Sequence, residues 1–301
     1  MTMKYKYYIC DEFTDRRFGG NQLAVLPDAR GLGREQMQLI AREFNFSEST
    51  FVFPAEEGHT RRVRIFTPAR EVPFAGHPNI GTAFVLSTSG ELEDTDEPPE
   101  IVFEEEAGLV RISRRKTDQG LLSCELEAPQ AFSLGKVLPA ELAATALSLP
   151  AREIKTKTHP PTVASVGLPF LMVELRDRSA LERACINPAG FEQIAAHGVM
   201  PDIHLYIHSN DEFDIRARMF APHDGVPEDP ATGSANCALA GLLGHYHETS
   251  SGKLDWRIAQ GVEMGRPSLL LARAGKRDGK VLSTWIGGTC VLVSEGVIYV
   301  D

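Results

Sequence analysis

The chain has 301 residues, of which 43% are hydrophobic and 24% charged, values typical of a globular protein long enough for two domain cores. Its formal net charge of -10 argues against a nucleic-acid surface, which needs clustered Lys and Arg to neutralise phosphates. No stretch approaches the roughly 20 apolar residues that span a bilayer, and the start lacks the apolar run of a signal peptide. We therefore expect a cytoplasmic protein with neither nucleic acid nor membrane as a partner.

The first part of the chain predicts strands around one amphipathic helix. Residues 5–13, 23–26, 51–53 and 63–66 have the extended or alternating pattern of strands. Between them, apolar side chains recur at the spacing of a helix face: Met37, Ile40, Ala41 and Phe44. Later apolar runs separated by Gly-containing turns predict antiparallel hairpins. This order indicates an α+β protein rather than a Rossmann alternation of strand and helix.

Two further segments predict buried helices. The first follows His77 and has Pro78 at its first position, where the missing N–H of proline costs nothing. The second follows Asp229, a good N-cap, and has Pro230 in the same position. Both segments are apolar on nearly every side, so each helix must be enclosed by other elements.

The chain also matches itself, which is a sign of internal duplication. Five pairs of residues or segments match in order, with one short gap before the last two: Glu48 with Asp202, residues 64–68 with 218–222, Pro73 with Pro227, His77 with Asp229, and Gly81 with Gly233. The repeat predicts two lobes, each with strands wrapped around one central helix. We place the lobes at residues 1–128 and 129–301, and a strand near residues 290–301 is a candidate to complete the first lobe.

The starts of the two buried helices are the predicted site. Helix N-termini carry unpaired N–H groups and a partial positive charge, so two of them facing a shared cleft would bind the carboxylate of a small acid. His77 and Asp229 stand beside these starts. Asp229 is also explained as a simple helix cap, whereas His77 is a poor cap and is the stronger candidate for function.

Glu48 lies just past a predicted helix and enters an apolar strand. A carboxylate there would be partly desolvated, which raises its pKa and suits a general base near neutral pH. From the residues alone, an ordinary capping or surface glutamate is the better explanation of the pattern.

No pattern indicates a metal or a nucleotide cofactor. His245, His247 and Glu248 match no standard zinc spacing, and no glycine-rich phosphate loop is present. The five cysteines are scattered without a Cys-x-x-Cys pair, so we expect reduced thiols that are mostly buried. Cys237 lies inside the second buried helix and is expected in the core.

Several motifs resemble one family, the PhzF-like isomerases of phenazine biosynthesis. They occur in the family's order and cover nearly the whole chain: residues 13–21, 37–51, 64–68, 73–78, 228–235 and 260–268. The resemblance implies the diaminopimelate-epimerase fold, with two pseudo-symmetric lobes, each a curled, mostly antiparallel sheet around a central helix. It also implies a homodimer.

The same resemblance implies an isomerase that needs neither metal nor cofactor and acts on trans-2,3-dihydro-3-hydroxyanthranilate or a related small acid. Its catalytic glutamate corresponds to Glu48, and its supporting residues correspond to His77 and Asp229. Gly76, Gly233 and Ser234 would donate to the substrate carboxylate, and Asn21 would line the cleft. One departure is Gln22, where the family usually has proline after Gly-Asn.

Two other functions remain as alternatives. The chain could be an amino-acid epimerase or racemase of the same fold, although such enzymes use two cysteines and this chain has His77 and Asp229 at those positions. It could also be a binding protein for small acids with a vestigial catalytic site, against which the presence of Glu48, His77 and Asp229 together argues.

Overall fold

The computed structural model describes residues 2–92 and 100–301 and divides the chain into two compact units. The first contains the chain up to Glu127 together with Gly287–Asp301, and the second is Ala128–Ile286. The C-terminal segment, which includes the strand near residues 290–301 given as a candidate to complete the first lobe, thus lies in the first unit. The reason is strand pairing, because residues 290–300 run antiparallel to the first strand of the chain.

The first unit is a set of strands with two helices. Its elements, in chain order, are β1 (Met3–Glu12), β2 (Asn21–Leu26), α1 (Arg34–Phe44), β3 (Glu48–Phe53), β4 (Arg61–Phe66), β5 (Glu71–Val72), α2 (Gly76–Thr88), β6 (Ile101–Glu105), β7 (Gly108–Lys116) and β8 (Leu122–Glu127). The predicted amphipathic helix is confirmed as α1, which buries Met37, Ile40 and Ala41.

The strands of the first unit enclose α2. β1 pairs antiparallel with β2, β2 pairs parallel with β3, and the chain returns antiparallel through β4. Helix α2 packs against β1, β2, β3, β7 and β8. Every residue from Gly76 to Leu86 is buried, as expected for a helix that is apolar all round.

The second unit contains four helices. Its elements are β9 (Ser133–Val137), α3 (Ala140–Ala146), a 3₁₀ turn (Ala151–Glu153), β10 (Thr162–Ser165), β11 (Pro169–Glu174), α4 (Arg178–Arg183), α5 (Pro188–Ala196), β12 (Ile203–His208), β13 (Ile215–Ala221), a 3₁₀ turn (Pro222–Asp224), β14 (Val226–Asp229), α6 (Gly233–Tyr246), β15 (Gly252–Gln260) and β16 (Ser268–Arg277). A last long strand, β17 (Lys280–Val300), begins here and ends in the first unit.

Helix α6 has the place in the second unit that α2 has in the first. It packs against β10, β11, β15 and β16. Every residue from 233 to 244 is buried except Ser234, which is half-buried. A separate core forms where α3, α4 and α5 cover β11 and β12, and it is filled by side chains such as Phe191, Leu205 and Phe220.

Both buried helices begin at residues other than those predicted. Helix α2 begins at Gly76, so Pro78 is its third residue. Helix α6 begins at Gly233 with Thr232 as N-cap, so neither Asp229 nor Pro230 has the predicted place. Asp229 is the last residue of β14, because its backbone is paired with β13.

The contacts also correct the register of the repeat. Arg64 binds both carboxylate oxygens of Glu71 at 2.6 and 2.9 Å, and Arg218 does the same with Glu228 at 2.7 and 2.9 Å. The second copy therefore has three extra residues before its glutamate. Beyond that insertion Gly76 corresponds to Gly233, so the match of Gly233 with Gly81 was wrong.

The same shift of register changes two other pairs. Pro73 corresponds to Pro230 rather than to Pro227, and His77 corresponds to Ser234 rather than to Asp229. The shared side-chain contacts of the first helical turn support this register. Asn79 Nδ2 donates to the carbonyl of Ala75 at 2.9 Å, and Asn236 Nδ2 donates to that of Thr232 at 2.9 Å.

The described residues thus form an α+β, sheet-rich structure with six α-helices. Within the described ranges, no helix has the length and apolar character needed to cross a membrane.

Close packing of α2 gives a first prediction. A Cβ at Gly81 would lie 2.0 Å from Glu12 Oε1 and 2.8 Å from Leu23 Cδ2, and both residues are fully buried. Gly81→Ala should therefore lower the free energy of unfolding by about 1–3 kcal/mol. Gly33→Ala is the control, because its new Cβ would approach only Gln36 Oε1, at 3.7 Å. Urea denaturation measures both, and equal stability of Gly81→Ala and wild type would contradict the packing.

Candidate active site

Glu48 is the first residue of β3, just past the end of α1. Asn45 caps α1 in the left-handed conformation, with φ 54°, and this turns the chain into the strand that begins three residues later. The Glu48 side chain is 17% exposed. The carboxylate is thus held at a strand end and is partly desolvated, as the sequence predicted.

His77 is the second residue of α2 and contacts Glu48. Its Nε2 lies 3.2 Å from Glu48 Oε2, and the imidazole is only 5% exposed. The distance suits a hydrogen bond, although the two groups are not aligned for a well-formed one. Catalytic hydrogen bonds often tighten only when substrate binds. The structure therefore brings together the two predicted catalytic residues of the first unit.

Burial determines the charge of His77. Loss of hydration disfavours the imidazolium and lowers the pKa of His77 from 6.5 to about 3. The ring is therefore neutral throughout the physiological range. A neutral imidazole carries a hydrogen on only one of its two nitrogens. The nitrogen with the hydrogen can donate to a carboxylate and the other can accept from a carboxylic acid, and in neither case does the charge of the ring change.

Asn21 and Gly76 lie near this pair. Asn21 begins β2 and is 1% exposed, and the parallel pairing of Leu23 with Glu48 places it at the same end of the two strands. Gly76 is the first residue of α2. Gln22, in the position of the family proline, lies inside β2 opposite Asp11, so the loop ends before it.

The second unit brings Asp229, Gly233 and Ser234 to the start of α6. Asp229 is 7% exposed, and its Oδ2 accepts a hydrogen bond of 2.5 Å from the Thr232 hydroxyl. Gly233 and Ser234 are the first two residues of the helix. Because the hydroxyl of Thr232 binds Asp229, the N-cap residue leaves the first-turn N–H groups to other acceptors.

A cavity of about 540 Å³ in the first unit lies away from these residues. None of the seven predicted site residues, all within the described part of the chain, lines it. Its arginines are paired, Arg34 and Arg64 with Glu71 and Arg62 with Glu56. We therefore interpret this cavity as a surface depression lined by ion pairs, and not as the active site.

In residues 2–92 and 100–301, no group of three or more His, Cys, Asp or Glu side chains is arranged to hold a metal ion. His245, His247 and Glu248 are exposed at and beyond the end of α6. Cys237 is 2% exposed and donates to Thr284 Oγ1 at 3.3 Å, so it lies in the core as predicted.

The sequence agrees with one family over most of its length. The family described as phenazine biosynthesis-like protein matches residues 10–296, and the chain belongs to this family. An uncharacterized isomerase of Mesorhizobium japonicum is 35% identical over 98% of each chain. The trans-2,3-dihydro-3-hydroxyanthranilate isomerase of Pseudomonas aeruginosa is 34% identical over 98% of this chain and 99% of its own.

Solved structures agree with this assignment. A PhzF-family protein of Bacillus anthracis superposes with a TM-score of 0.90 at 25% identity, covering 99% of this chain and all of that one. A hydroxyproline epimerase of Agrobacterium vitis shares the fold at a TM-score of 0.65 and 15% identity, covering 99% and 92%. With its relatives named as isomerases, this protein is an isomerase.

The sequence reasoning did not identify Thr232. Its hydroxyl donates to the Asp229 carboxylate at 2.5 Å. A signal was present, because a threonine three residues after an aspartate is well placed to bond back to it. Assigning Asp229 as the N-cap hid that signal.

The neutral state of His77 can be tested by NMR. Because the pKa of His77 is about 3, its ring resonances should stay constant between pH 5 and pH 8, and His77→Gln assigns them by removing them. The neutral folded form also predicts that stability falls as pH drops from about 6.5, where an unfolded histidine takes up its proton, towards 3. A midpoint for His77 between pH 5 and pH 8 would contradict this environment.

Proposed function

We propose that this isomerase moves a proton between two carbons of a small unsaturated carboxylic or amino acid, in the manner of trans-2,3-dihydro-3-hydroxyanthranilate isomerase. The proposal includes no metal or cofactor. The observation that carries it is the contact of Glu48 with the buried, neutral imidazole of His77, 3.2 Å away at the start of α2.

In this proposal one carboxyl group serves first as base and then as acid. Glu48 removes a proton from a carbon activated by the neighbouring unsaturation and returns it to another carbon of the same molecule. His77 supports both states with its hydrogen on Nε2, since it can donate to the Glu48 carboxylate and also to the carbonyl oxygen of the carboxylic acid, whose other oxygen then carries the proton. Because His77 remains neutral, it does not compete for the transferred proton.

In the proposal, each unit offers a helix start that can bind a carboxylate. The first-turn N–H groups of α2, including that of Gly76, and those of Gly233 and Ser234 in α6 are unpaired within their helices and carry the positive end of the helix dipole. Asn21 contributes a side-chain amide. Asp229 orients the substrate and balances the charge that develops as the proton moves.

The alternatives fit the structure less well. An epimerase that uses two thiols needs accessible cysteines, and Cys237, inside α6, is buried and hydrogen-bonded to Thr284. A binding protein without catalysis would not require a carboxylate beside a neutral imidazole. We therefore favour proton transfer.

The test is turnover in deuterated water, followed by NMR. Wild-type protein is incubated with trans-2,3-dihydro-3-hydroxyanthranilate and a panel of related unsaturated and amino acids. We expect isomerisation or deuterium exchange at a substrate carbon, and we expect Glu48→Gln to reduce it at least about hundredfold, the usual contribution of a general acid or base.

Glu43→Gln is the matched control, because Glu43 is an exposed glutamate of α1 in the same unit. It should retain wild-type rates. Activity that persists in Glu48→Gln would exclude Glu48 as the essential base. Tight binding of a panel acid without turnover by wild type would favour the binding protein.

A further inference from the structure

The hydroxyl of Thr232 has a defined direction. It donates to Asp229 Oδ2 at 2.5 Å and accepts from Gln260 Nε2 at 3.0 Å. Thr232 is the N-cap of α6, yet its side chain makes no capping hydrogen bond to the helix N-terminus. Its single hydrogen is therefore committed to the Asp229 carboxylate, because the amide hydrogen of Gln260 occupies the other side of the oxygen.

Two backbone carbonyls fix the direction of every bond in this group. Gln260 Nε2 donates to the carbonyl of Asp229 at 2.8 Å, and Asn236 Nδ2 donates to the carbonyl of Thr232 at 2.9 Å. A carbonyl can only accept, so both nitrogens are identified as amide donors. Gln260 Oε1 is then the acceptor for Asn236 Nδ2 at 2.7 Å and for the Thr232 N–H at 3.2 Å.

The group continues inward to His204. His204 Nε2 lies 3.2 Å from Asn236 Oδ1, and since that oxygen only accepts, the imidazole must carry its hydrogen on Nε2. His204 is fully buried, and burial lowers its pKa to about 4, so it is a neutral donor. The hydrogen bonds thus form a directed chain. It runs from His204 on β12 through Asn236 on α6 and Gln260 on β15 to Thr232 and the Asp229 carboxylate.

Burial makes this order rigid. Asn236 and Gln260 have no exposed surface, and Thr232 is 9% exposed. Reversing either amide would set an oxygen against a carbonyl oxygen and leave buried groups without partners, which is costly in a protein interior. A single arrangement is therefore strongly favoured.

From this geometry we infer that Gln260 and Thr232 are positioning residues for Asp229. Gln260 orients the Thr232 hydroxyl, and that hydroxyl holds one oxygen of the Asp229 carboxylate. Neither residue touches the reacting atoms. The catalytic part of the inference rests on the proposed function of Asp229, whereas the positioning part can be tested without substrate.

The first experiment uses the protein alone. The ¹³Cγ resonance of Asp229, assigned with Asp229→Asn, is recorded in Thr232→Val, Thr232→Ser and Gln260→Leu. Thr232→Val and Gln260→Leu should shift it, and Thr232→Ser should not, because serine keeps the hydroxyl. Thr162→Val is the control: Thr162 is another buried threonine of this unit, 3% exposed, whose hydroxyl donates to the Pro160 carbonyl at 2.6 Å.

The second experiment measures turnover of any acid that wild type isomerises. Thr232→Val should lower kcat at least about tenfold, as expected for loss of a hydrogen bond to a charged group, and change KM less than about twofold. Thr232→Ser should restore kcat to within about threefold, and Thr162→Val should retain both constants. Valine matches threonine in shape, so this variant folds more readily than Gln260→Leu.

The outcomes separate the two levels of the argument. An unchanged Asp229 resonance in Thr232→Val, or equal losses of kcat in Thr232→Val and Thr162→Val, would overturn the inference. A rise in KM with kcat unchanged would also overturn it, because Asp229 would then act only in binding. If wild type isomerises no panel acid, the proposed function fails, and the Asp229 resonance still decides whether Thr232 and Gln260 hold that carboxylate.

Discussion

Each unit depends on the burial of one helix that is apolar on every side. Helices α2 and α6 have no polar face to offer to water, so strands must cover them completely, and small residues in the helices let the strands approach closely. Gly81 shows how tight this fit is, with Glu12 and Leu23 filling the space where a side chain would begin. The interior N–H groups of such a helix are paired within it, and the first turn alone offers unpaired donors. Polar chemistry in each unit is thereby concentrated at a helix start.

Burial also determines the chemical state of the groups placed there. The imidazole of His77 loses its hydration because it belongs to the enclosed helix, and its pKa falls to about 3. Glu48 comes from a different element, as the first residue of β3, and its side chain keeps some contact with solvent. The pair thus consists of two different groups. The Glu48 carboxylate can take up and release protons, whereas the neutral imidazole of His77 does not take them up. This combination suits the transfer of one proton within one substrate.

The two copies of the internal repeat share a framework and differ in ionisable groups. Each has a bidentate arginine–glutamate pair, followed by a helix whose first-turn asparagine bonds back to the N-cap carbonyl. In the corrected register His77 corresponds to Ser234, and Asp229 corresponds to Val72. The framework determines where each helix begins, and the variable positions give each start its own chemistry. The hydrogen-bonded group around Gln260 shows how one such position, Asp229, is held.

The sequence by itself determined the family, the α+β class, the amphipathic α1, the presence of two buried helices and the position of Glu48 at the start of a strand. These follow from local pattern and ordered motifs. It did not determine where the buried helices begin, because the residues around Pro78 and Pro230 satisfy the rules for a helix start at more than one position. For α6, strand pairing of Asp229 excludes that residue as the N-cap. Residues 290–301 were only a candidate to complete the first lobe, because their place depends on pairing with β1 across the whole length of the chain. The contact of His77 with Glu48 and the bonds among Thr232, Asn236 and Gln260 join residues up to 29 positions apart, and only the tertiary structure brings such residues within hydrogen-bonding distance.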